Sequence, residues 1–355
     1  MEPLPEDLIA RFRADYERLL TPDDAPDHAV ALAVSGGPDS MGMLALAAST
    51  FPGRAVAATV DHGLRPESAQ EAAMVARCCE RLGVPHTTLK IEVPPGASGN
   101  LHDWARQERY LLLKRWALGV GTAVLCTAHH AEDQAETFLM RAARASGLSG
   151  LAAVRARNET AVTRTGETRT EALEDGGAAI HIHYYPIALL RPLLGWRRHE
   201  LHAVVKSLAL PFVEDPSNHD PRFDRTRFRA WLAEAPWLDP VKIGKTAENL
   251  AALDADLHAI SEWLWQERAV ECGPYETRFN VEGLPRGVTR YLVRMAIDHV
   301  RMVNGWTEGN WNPSSNVEPL LDALEAGSSA TQANVLGSAK GKIWHFREAP
   351  PRRSL

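Results

Sequence analysis

Short apolar segments alternate with longer amphipathic ones from residue 29 to about residue 150, and this alternation restricts the fold more than any other feature of the sequence. The apolar segments are too short for helices and are bounded by Gly, Pro or charged residues. Strand and helix in regular alternation predict an α/β domain, in which helices cover a parallel sheet. The predicted strands are Ala29–Ser35, Ala55–Val60, Thr87–Val93 and Ala123–Ala128, and the predicted helices are Met41–Ser49, Glu67–Leu82, Leu101–Leu118 and Glu132–Ala145.

The remaining segments have other patterns. Residues 1–28 carry apolar side chains at helical spacing, which predicts one amphipathic helix. Residues 155–179 are rich in Thr, Glu, Arg and Gly, which predicts a mobile surface insertion, and Ile180–Tyr185 alternates like an exposed strand. Helical spacing at Val241–Val270 and Pro285–Val303 predicts a smaller, mainly α-helical second domain. The predicted division is a helix at 1–28, the sheet domain at 29–215, the helical domain at 216–330, and a short hairpin and tail at 331–355.

Composition and charge exclude several classes of protein. With 45% hydrophobic and 24% charged residues, the chain is not disordered, collagen-like or a coiled coil. No apolar run reaches the roughly 18 residues of a membrane span, and the acidic start does not resemble a signal peptide, so we expect a cytoplasmic protein without a membrane partner. The four cysteines lack CxxC spacing, which favours reduced, buried thiols.

The net charge of −6 argues against a nucleic-acid partner only when it is averaged over the whole chain. Residues 1–30 hold eight acidic and three basic side chains, whereas residues 191–231 hold eight basic and five acidic ones. RNA contact is therefore compatible with the sequence, provided that it is local and sensitive to salt.

A tight loop follows the first predicted strand and leads directly into a helix. Two adjacent glycines allow positive φ and close approach of a ligand, and the helix start supplies unpaired N–H groups, so the loop predicts an anion cradle. The chain lacks the lysine of a Walker A loop here, and Asp39 instead offers a carboxylate that could hold Mg²⁺ beside phosphate. The residues of the loop are Ser35, Gly36, Gly37, Pro38, Asp39 and Ser40.

Polar residues follow other predicted strands at the edge where open parallel sheets bind ligands. Asp61 and His62 come after the second strand, and Arg109 lies on a helix whose arginines can face phosphate, although a solvated helix face explains those arginines equally well. After the fourth strand, a helix start carries acids one turn apart, which suits either a substrate-facing terminus or a capped first turn. The residues in this last group are His130, Asp133, Glu136 and Arg141.

A third group of charged residues follows the strands in a Pro-punctuated region. Its arginines predict a phosphate clamp, and the alternative is a salt-bridged connector. The group consists of Arg191, Asp215, Asn218, Arg222, Arg225 and Arg227.

The loop SGGPDS resembles that of the N-type ATP pyrophosphatase (PP-loop) superfamily, and further motifs narrow the resemblance. VDHGLR, AHHAEDQAETFLMR, SGLSGLA and EDPSNHDPRFDRTRFR occur in the order typical of the tRNA(Ile)-lysidine synthetase family, and the match covers residues 28–231. The resemblance implies a Rossmann-like, adenine nucleotide alpha hydrolase-like catalytic domain followed by a helical tRNA-binding one. Long members of the family carry a further C-terminal module, so the way in which this chain binds the body of the tRNA stays an open question.

The family uses ATP and Mg²⁺ to adenylate C2 of the wobble cytidine in tRNA(Ile) with a CAU anticodon, and free L-lysine then displaces AMP. The lysidine product changes codon specificity from AUG to AUA. By resemblance, we assign the loop and Asp39 to ATP and Mg²⁺, with Asp39 and Ser40 catalytic, and place Asp61, His62 and Arg109 near the nucleotide. Asp133 and Glu136 would bind lysine and His130 is the candidate base, while Arg141, Arg191, Asp215, Asn218, Arg222, Arg225 and Arg227 would hold tRNA phosphates or the lysine carboxylate.

Two other enzyme classes use the same adenylation step. A tRNA thiolation enzyme would need paired catalytic cysteines or an iron–sulfur site, and the adjacent Cys78 and Cys79 in a predicted helix suit that chemistry poorly. A small-molecule amide ligase would need neither the basic loop nor a helical domain. A nucleotide-dependent RNA-binding protein without turnover, and a homodimer as the assembly, also stay open.

Overall fold

The computed structural model describes residues 3–24, 29–63, 67–91, 101–163, 169–172, 178–181, 183–214, 224–306, 311 and 315–350. The chain forms two compact units. The first consists of Met1–Ala145 and Ala153–Ala247, and the second of Ser146–Ala152 and Glu248–Leu355. Within the described ranges, every helix is too short or too polar to cross a bilayer.

The helices and strands of the first unit alternate as the sequence predicts. Its helices are α1 Glu6–Glu17, α2 Pro38–Thr50, α3 Ser68–Leu82, α4 Leu101–Gly119, α5 Ala131–Ala143, α7 Arg198–Ser207 and α8 Asp224–Glu234. Its strands are β1 Val30–Ala33, β2 Ala55–Asp61, β3 His86–Lys90, β4 Val124–Cys126, β5 Arg157–Thr163, β6 Arg169–Ala172, β7 Ala178–His181 and β8 Tyr184–Leu190. The remaining elements are α6 Leu148–Leu151, α9 Pro240–Arg268, α10 Arg286–Val303, α11 Glu318–Glu325, β9 Thr277–Asn280, β10 Ser329–Gln332, β11 Val335–Lys340 and β12 Ile343–Glu348.

The main sheet has the strand order β3-β2-β1-β4-β8-β5, and its first five strands are parallel. Its two faces pack against different helices, because apolar residues of α1, α2, α3 and α7 cover one face and those of α4 cover the other. The predicted α/β fold is thereby confirmed. The order of strands changes direction at β1 and β4, so the loops after these two neighbouring strands meet at one edge, where open parallel sheets bind ligands.

The mobile insertion predicted at 155–179 is wrong for its first part. Residues Arg157–Thr163 form β5, which pairs antiparallel with β8 and closes one edge of the main sheet, with Val162 buried. The polar residues misled the prediction because an edge strand exposes one side to water and needs few apolar residues. The single strand predicted at Ile180–Tyr185 is also wrong, since β7 ends at His181 and β8 begins at Tyr184.

The division between the units differs from the predicted boundary at residue 215. Helix α8 belongs to the first unit because its arginines form ion pairs with carboxylates of α5. The second unit contains α10 and α11 and also a four-stranded antiparallel sheet, β10-β11-β12-β9. The predicted C-terminal hairpin corresponds to β11 and β12, which form the centre of this sheet.

An ion pair fastens the start of β5 to the segment that follows α1. Arg157 donates hydrogen bonds to Asp24 Oδ2 at 2.8 Å and to the Leu19 carbonyl at 3.0 Å. Burial alone would raise the pKa of Asp24, but hydrogen bonds from Thr21 and Arg157 lower the pKa below its ordinary 3.8. The Asp24 side chain is 7% exposed, so the pair connects two distant segments in a poorly hydrated place.

Replacing Asp24 by Asn should lower the free energy of unfolding by about 1–2 kcal/mol at pH 7, because Arg157 loses a buried partner. Since folding depresses the pKa of Asp24, the contribution is complete above pH 4 and disappears as the pH falls further. Urea denaturation at pH 7 and pH 3 measures both effects. The neighbouring Asp23→Asn changes an exposed residue and should stay near wild type, and equal losses in the two variants would refute the anchoring role.

Candidate active site

The loop between β1 and α2 takes its shape from Gly36, whereas Gly37 has an ordinary φ of −72°. Gly36 has a φ of +86°, and a Cβ at this position would lie 3.3 Å from atoms of Met74 and Val75, so both backbone and space favour glycine. Its carbonyl accepts a hydrogen bond from Val213 N at 2.9 Å. Gly37 is the residue before α2, and Pro38 occupies the first turn, where a missing N–H has no consequence.

Two serines close the loop by hydrogen bonding. The Ser35 amide donates to Ser40 Oγ at 3.2 Å, and the Ser40 hydroxyl donates to the Gly37 carbonyl at 2.9 Å. No side chain caps the start of α2, so the first N–H groups of the helix and its positive dipole end are available to an anion. The loop thus has the free N–H groups that an anion cradle requires, and anion binding by it stays a prediction.

A cavity of about 380 Å³ opens beside this cradle at the carboxyl edge of the sheet. The cavity holds polar groups from several parts of the first unit, and basic side chains outnumber acidic ones around it. An anionic ligand with an apolar portion, such as a nucleotide, matches this environment in size and charge. Its polar lining includes Ser35, Asp39, Ser40, His62, Glu71, Arg106, Arg109, His129, Asp133, Arg198 and Arg225.

The Asp39 carboxylate fits the magnesium ion that the resemblance implies. Its Oδ1 is buried, and among the described residues no hydrogen-bond donor reaches it. His130 Nε2 lies 3.5 Å from Oδ2, and His202 Nε2 lies 3.9 Å from Oδ1. The described residues include no cluster of three or more metal-ligating side chains. Asp39 together with ligand phosphates therefore suits Mg²⁺, which commonly binds through one or two carboxylates plus phosphate.

Two adjacent histidines after β4 have opposite protonation states. Burial lowers the pKa of His129 to about 4, and nearby arginines contribute, so this imidazole is neutral and faces the cavity. Burial would lower the pKa of His130 too, but hydrogen bonds to Asp39 and Glu132 and the charge of Asp133 raise it to about 10. His130 lies within 3.6 Å of the carboxylates of Asp39, Glu132 and Asp133, which favour its protonated form, and the base role predicted for it stays a prediction.

The acids of α5 are held by arginines of α8. Arg225 Nη2 lies 2.5 Å from Asp133 Oδ1, and Arg225 Nε lies 2.6 Å from Glu136 Oε2. Arg229 Nε lies 2.7 Å from Glu136 Oε1. Glu136 is only 1% exposed, and both of its oxygens accept from arginine. Its carboxylate thus positions α8, whereas Asp133 and Arg225 also line the cavity.

The structure brings some of the other predicted residues to the cavity and places the rest elsewhere. His62 and Arg109 line it, but Asp61 accepts from Ser68 Oγ at 2.5 Å and from the Gly63 amide, and it shapes the loop instead. These hydrogen bonds lower the pKa of Asp61. Three predicted residues lie elsewhere: Arg141 is in the last turn of α5, Arg191 lines a second cavity, and Arg227 pairs with Asp224. Asp215, Asn218 and Arg222 lie outside the described residues.

Sequence reasoning missed several residues of the cavity. Arg198 is the first residue of α7 and lines the cavity. From the sequence it could not be told from an ordinary solvent-exposed residue of an amphipathic helix. Arg106 and Tyr110 line it through α4; Arg106 is one of the arginines of this helix that were predicted to face phosphate, whereas Tyr110 was not predicted. Arg115 of the same helix instead donates to the Thr163 carbonyl at 3.0 Å. A helical wheel aligned on Arg109 would have separated Arg106 from Arg115.

Comparisons with known proteins agree with this geometry. The model of the PP-loop domain family matches residues 8–235. The tRNA(Ile)-lysidine synthase of Novosphingobium aromaticivorans is 39% identical over 345 residues, which cover 97% of this chain and 95% of that protein. The tRNA(Ile)-lysidine synthase of Zymomonas mobilis subsp. mobilis is 36% identical over 334 residues, which cover 91% of this chain and 89% of that protein.

A solved structure shows the same fold at low sequence identity. The U34-tRNA thiolase NcsA from Methanococcus maripaludis, with its 4Fe-4S cluster, has a TM-score of 0.52 and 15% identity, covering 69% of this chain and 78% of that chain. This likeness concerns the fold alone.

Proposed function

The chain belongs to the tRNA(Ile)-lysidine synthase family of PP-loop proteins, and we propose that it joins free L-lysine to C2 of the wobble cytidine of tRNA(Ile) with a CAU anticodon, using ATP. The observation that carries the proposal is one cavity that combines an anion cradle, a carboxylate of Asp39 whose Oδ1 no hydrogen-bond donor of the described residues reaches, and a set of arginines. These groups suit the transfer of AMP, in which positioning and charge neutralisation supply most of the rate.

The first step activates the base. The C2 oxygen of the cytidine attacks the α-phosphorus of ATP, the bond from that phosphorus to the bridging oxygen breaks, and pyrophosphate leaves. The loop from Ser35 to Ser40 would bind the departing pyrophosphate through backbone N–H groups and hydroxyls. Asp39 would hold Mg²⁺, which would neutralise phosphate charge when bound. Arg109, Arg198 and Arg225 line the same cavity and place positive charge near the phosphates of the reacting ATP.

The second step attaches lysine. The ε-amine attacks C2, the C2–oxygen bond breaks, AMP departs with that oxygen, and the amine loses its protons to water or a carboxylate. Both carboxylates already accept hydrogen bonds, Asp133 from Arg225 and the His130 amide and Glu136 from two arginines, but only Asp133 lines the cavity where an amine could reach it. We therefore assign amine binding to Asp133 and assign Glu136 to positioning α8, which separates two residues that the sequence had grouped together.

The cysteines decide between lysine transfer and the thiolation alternative. Burial raises the pKa of Cys79 and Cys126 to about 12, and burial also raises that of Cys78, so these thiols stay protonated and unreactive at neutral pH. Iodoacetamide at pH 8 should therefore label Cys272 alone in the folded protein, and all four cysteines after denaturation. Peptide mass mapping measures the sites. Rapid native labelling of Cys78 or Cys79 would contradict this expectation and favour sulfur transfer.

The proposed reaction predicts a specific cofactor requirement. Radiolabelled L-lysine should enter unmodified tRNA(Ile) only when ATP and Mg²⁺ are both present, with one AMP and one pyrophosphate released for each lysine. A tRNA(Ile) in which U replaces the wobble cytidine is the matched control and should accept no lysine. Release of pyrophosphate without lysine incorporation would overturn the proposal.

We further propose that the reaction takes place in the cytoplasm, where ATP, lysine and tRNA are all available. The homodimer stays a prediction, and the mass of the protein in solution tests it directly.

A further inference from the structure

A second cavity of about 530 Å³ lies between α4 and the strands β8 and β5, of which β5 is the edge strand of the main sheet. We call it the α4–β5 cavity. Arg106 and Lys114 line it from α4, Asn158 lines it from β5, and Arg191 follows β8. Its volume is within the roughly 300–1,000 Å³ typical of small-molecule sites. Of the residues that line it, only Arg191 was predicted above to hold tRNA phosphates or the lysine carboxylate, and the cavity itself has no role so far.

The α4–β5 cavity has positive charge without a counter-charge in its lining. Arg106, Lys114 and Arg191 are its three charged residues, and its described lining contains no carboxylate. Arg191 donates to the Arg155 carbonyl at 2.6 Å, but its Nε is buried and meets no acceptor among the described residues. Burial lowers the pKa of both Lys114 and Arg191. Such unpaired, partly desolvated cations are unfavourable until an anion binds.

The α4–β5 cavity adjoins the cavity beside the glycine loop, which we call the ATP cavity, through two shared residues. Arg106 and Tyr110 line both cavities. The guanidinium carbons of Arg106 and Arg109 lie 5.5 and 5.8 Å from the centre of the Tyr110 ring. Aromatic rings and guanidinium planes are both surfaces on which unpaired bases stack, and the amides of Gln107 and Asn158 can pair with the polar edge of such a base.

From this arrangement we infer that the α4–β5 cavity binds a nucleotide of the RNA substrate, with a phosphate on Lys114 and Arg191 and the base against Tyr110. The inference rests on the proposed function, because that function supplies an RNA substrate whose reacting base must lie beside the α-phosphate of ATP. The shared wall at Arg106 and Tyr110 meets this requirement, since a base there borders the ATP cavity.

Two other anions could occupy the α4–β5 cavity, namely the carboxylate of free lysine and the departing pyrophosphate. Neither uses the aromatic ring and the amide groups, and the cavity's volume exceeds what a diphosphate needs. The three ligands also change different measured constants, so one variant can separate them.

Lys114→Gln is the direct test, because Lys114 lines the α4–β5 cavity and not the ATP cavity. We expect its dissociation constant for unmodified tRNA(Ile) to rise about tenfold, with the KM values for ATP and lysine unchanged. The slope of log affinity against log salt should become less steep by about 0.7–0.9, the contribution of one phosphate contact. Lys114→Arg should restore affinity and slope, and Arg77→Gln, which removes an exposed cation of α3, should behave like wild type.

Filter binding to the tRNA at several salt concentrations gives the first two quantities, and thermal denaturation confirms folding. Unchanged tRNA affinity in folded Lys114→Gln would overturn the inference. A raised KM for lysine alone or for ATP alone would also overturn it, in favour of the lysine carboxylate or of pyrophosphate. If the wild type binds tRNA but transfers no lysine, the proposed function fails, and the binding data still decide what occupies the α4–β5 cavity.

Discussion

Asp39→Asn is expected to reduce lysine incorporation by about 100-fold or more, with the protein still folded. Asp39 offers the buried, unpartnered oxygen that faces the phosphate cradle, and an amide cannot replace its charge as a ligand for Mg²⁺. The loss should appear in kcat for AMP formation and in the Mg²⁺ concentration needed for half activity. Binding of tRNA, which does not depend on this carboxylate in our account, should change little.

A matched aspartate separates a local effect from a general one. Asp256 is an exposed residue of α9 in the second unit, so Asp256→Asn makes the same chemical change far along the chain from the cradle. We expect wild-type activity for this control. Near-normal activity of Asp39→Asn would show that the cradle works without its carboxylate, and the magnesium assignment would then be wrong.

Glu136→Gln is expected to lower the free energy of unfolding by about 1–3 kcal/mol and to reduce activity as well. The buried carboxylate accepts hydrogen bonds from Arg225 and Arg229, and a neutral amide leaves Arg229 without this counter-charge and Arg225 with Asp133 alone. The two arginines are 42% and 29% exposed, and the water around them keeps the loss below that of a fully buried cluster. Because Arg225 also lines the cavity, releasing α8 should raise the KM for ATP.

Thermal denaturation and hydrogen exchange of the α8 amides measure this effect. Exchange should accelerate in α8 before it does in the strands of the main sheet, since only the helix loses its attachment. Glu234→Gln alters an exposed acid at the end of the same helix and serves as the control. Equal stability of wild type and Glu136→Gln would mean that the arginines hold α8 by other contacts.

The features predicted correctly from the sequence depend on contacts between near neighbours in the chain. The β1 strand, the glycine loop and the start of α2 lie within twenty residues, and their pattern specifies both the turn and the anion cradle. The alternating segments that follow likewise identify a parallel sheet because each strand and its helix are adjacent in sequence. Asp39 lies in the first turn of α2, as this local pattern predicts, and its role beside phosphate and Mg²⁺ stays a prediction.

The features that the sequence did not reveal depend on distant contacts. Arg225 and Glu136 are 89 residues apart, so their pairing could not be read from spacing, and both acids of α5 looked equally available for lysine. Strand β5 is polar along one side and is held by Arg157, which reaches back 133 residues to Asp24. The protonation of His130 depends in the same way on carboxylates from two separate segments.

The chemical identity of the product tests the central claim most directly. After incubation with ATP, Mg²⁺ and isotope-labelled L-lysine, unmodified tRNA(Ile) is digested to nucleosides and analysed by mass spectrometry. Our account predicts one labelled lysine joined through its ε-nitrogen to C2 of the wobble cytidine, and its absence with Asp39→Asn. A 2-thiolated nucleoside, or an unmodified cytidine despite consumption of ATP, would contradict the account.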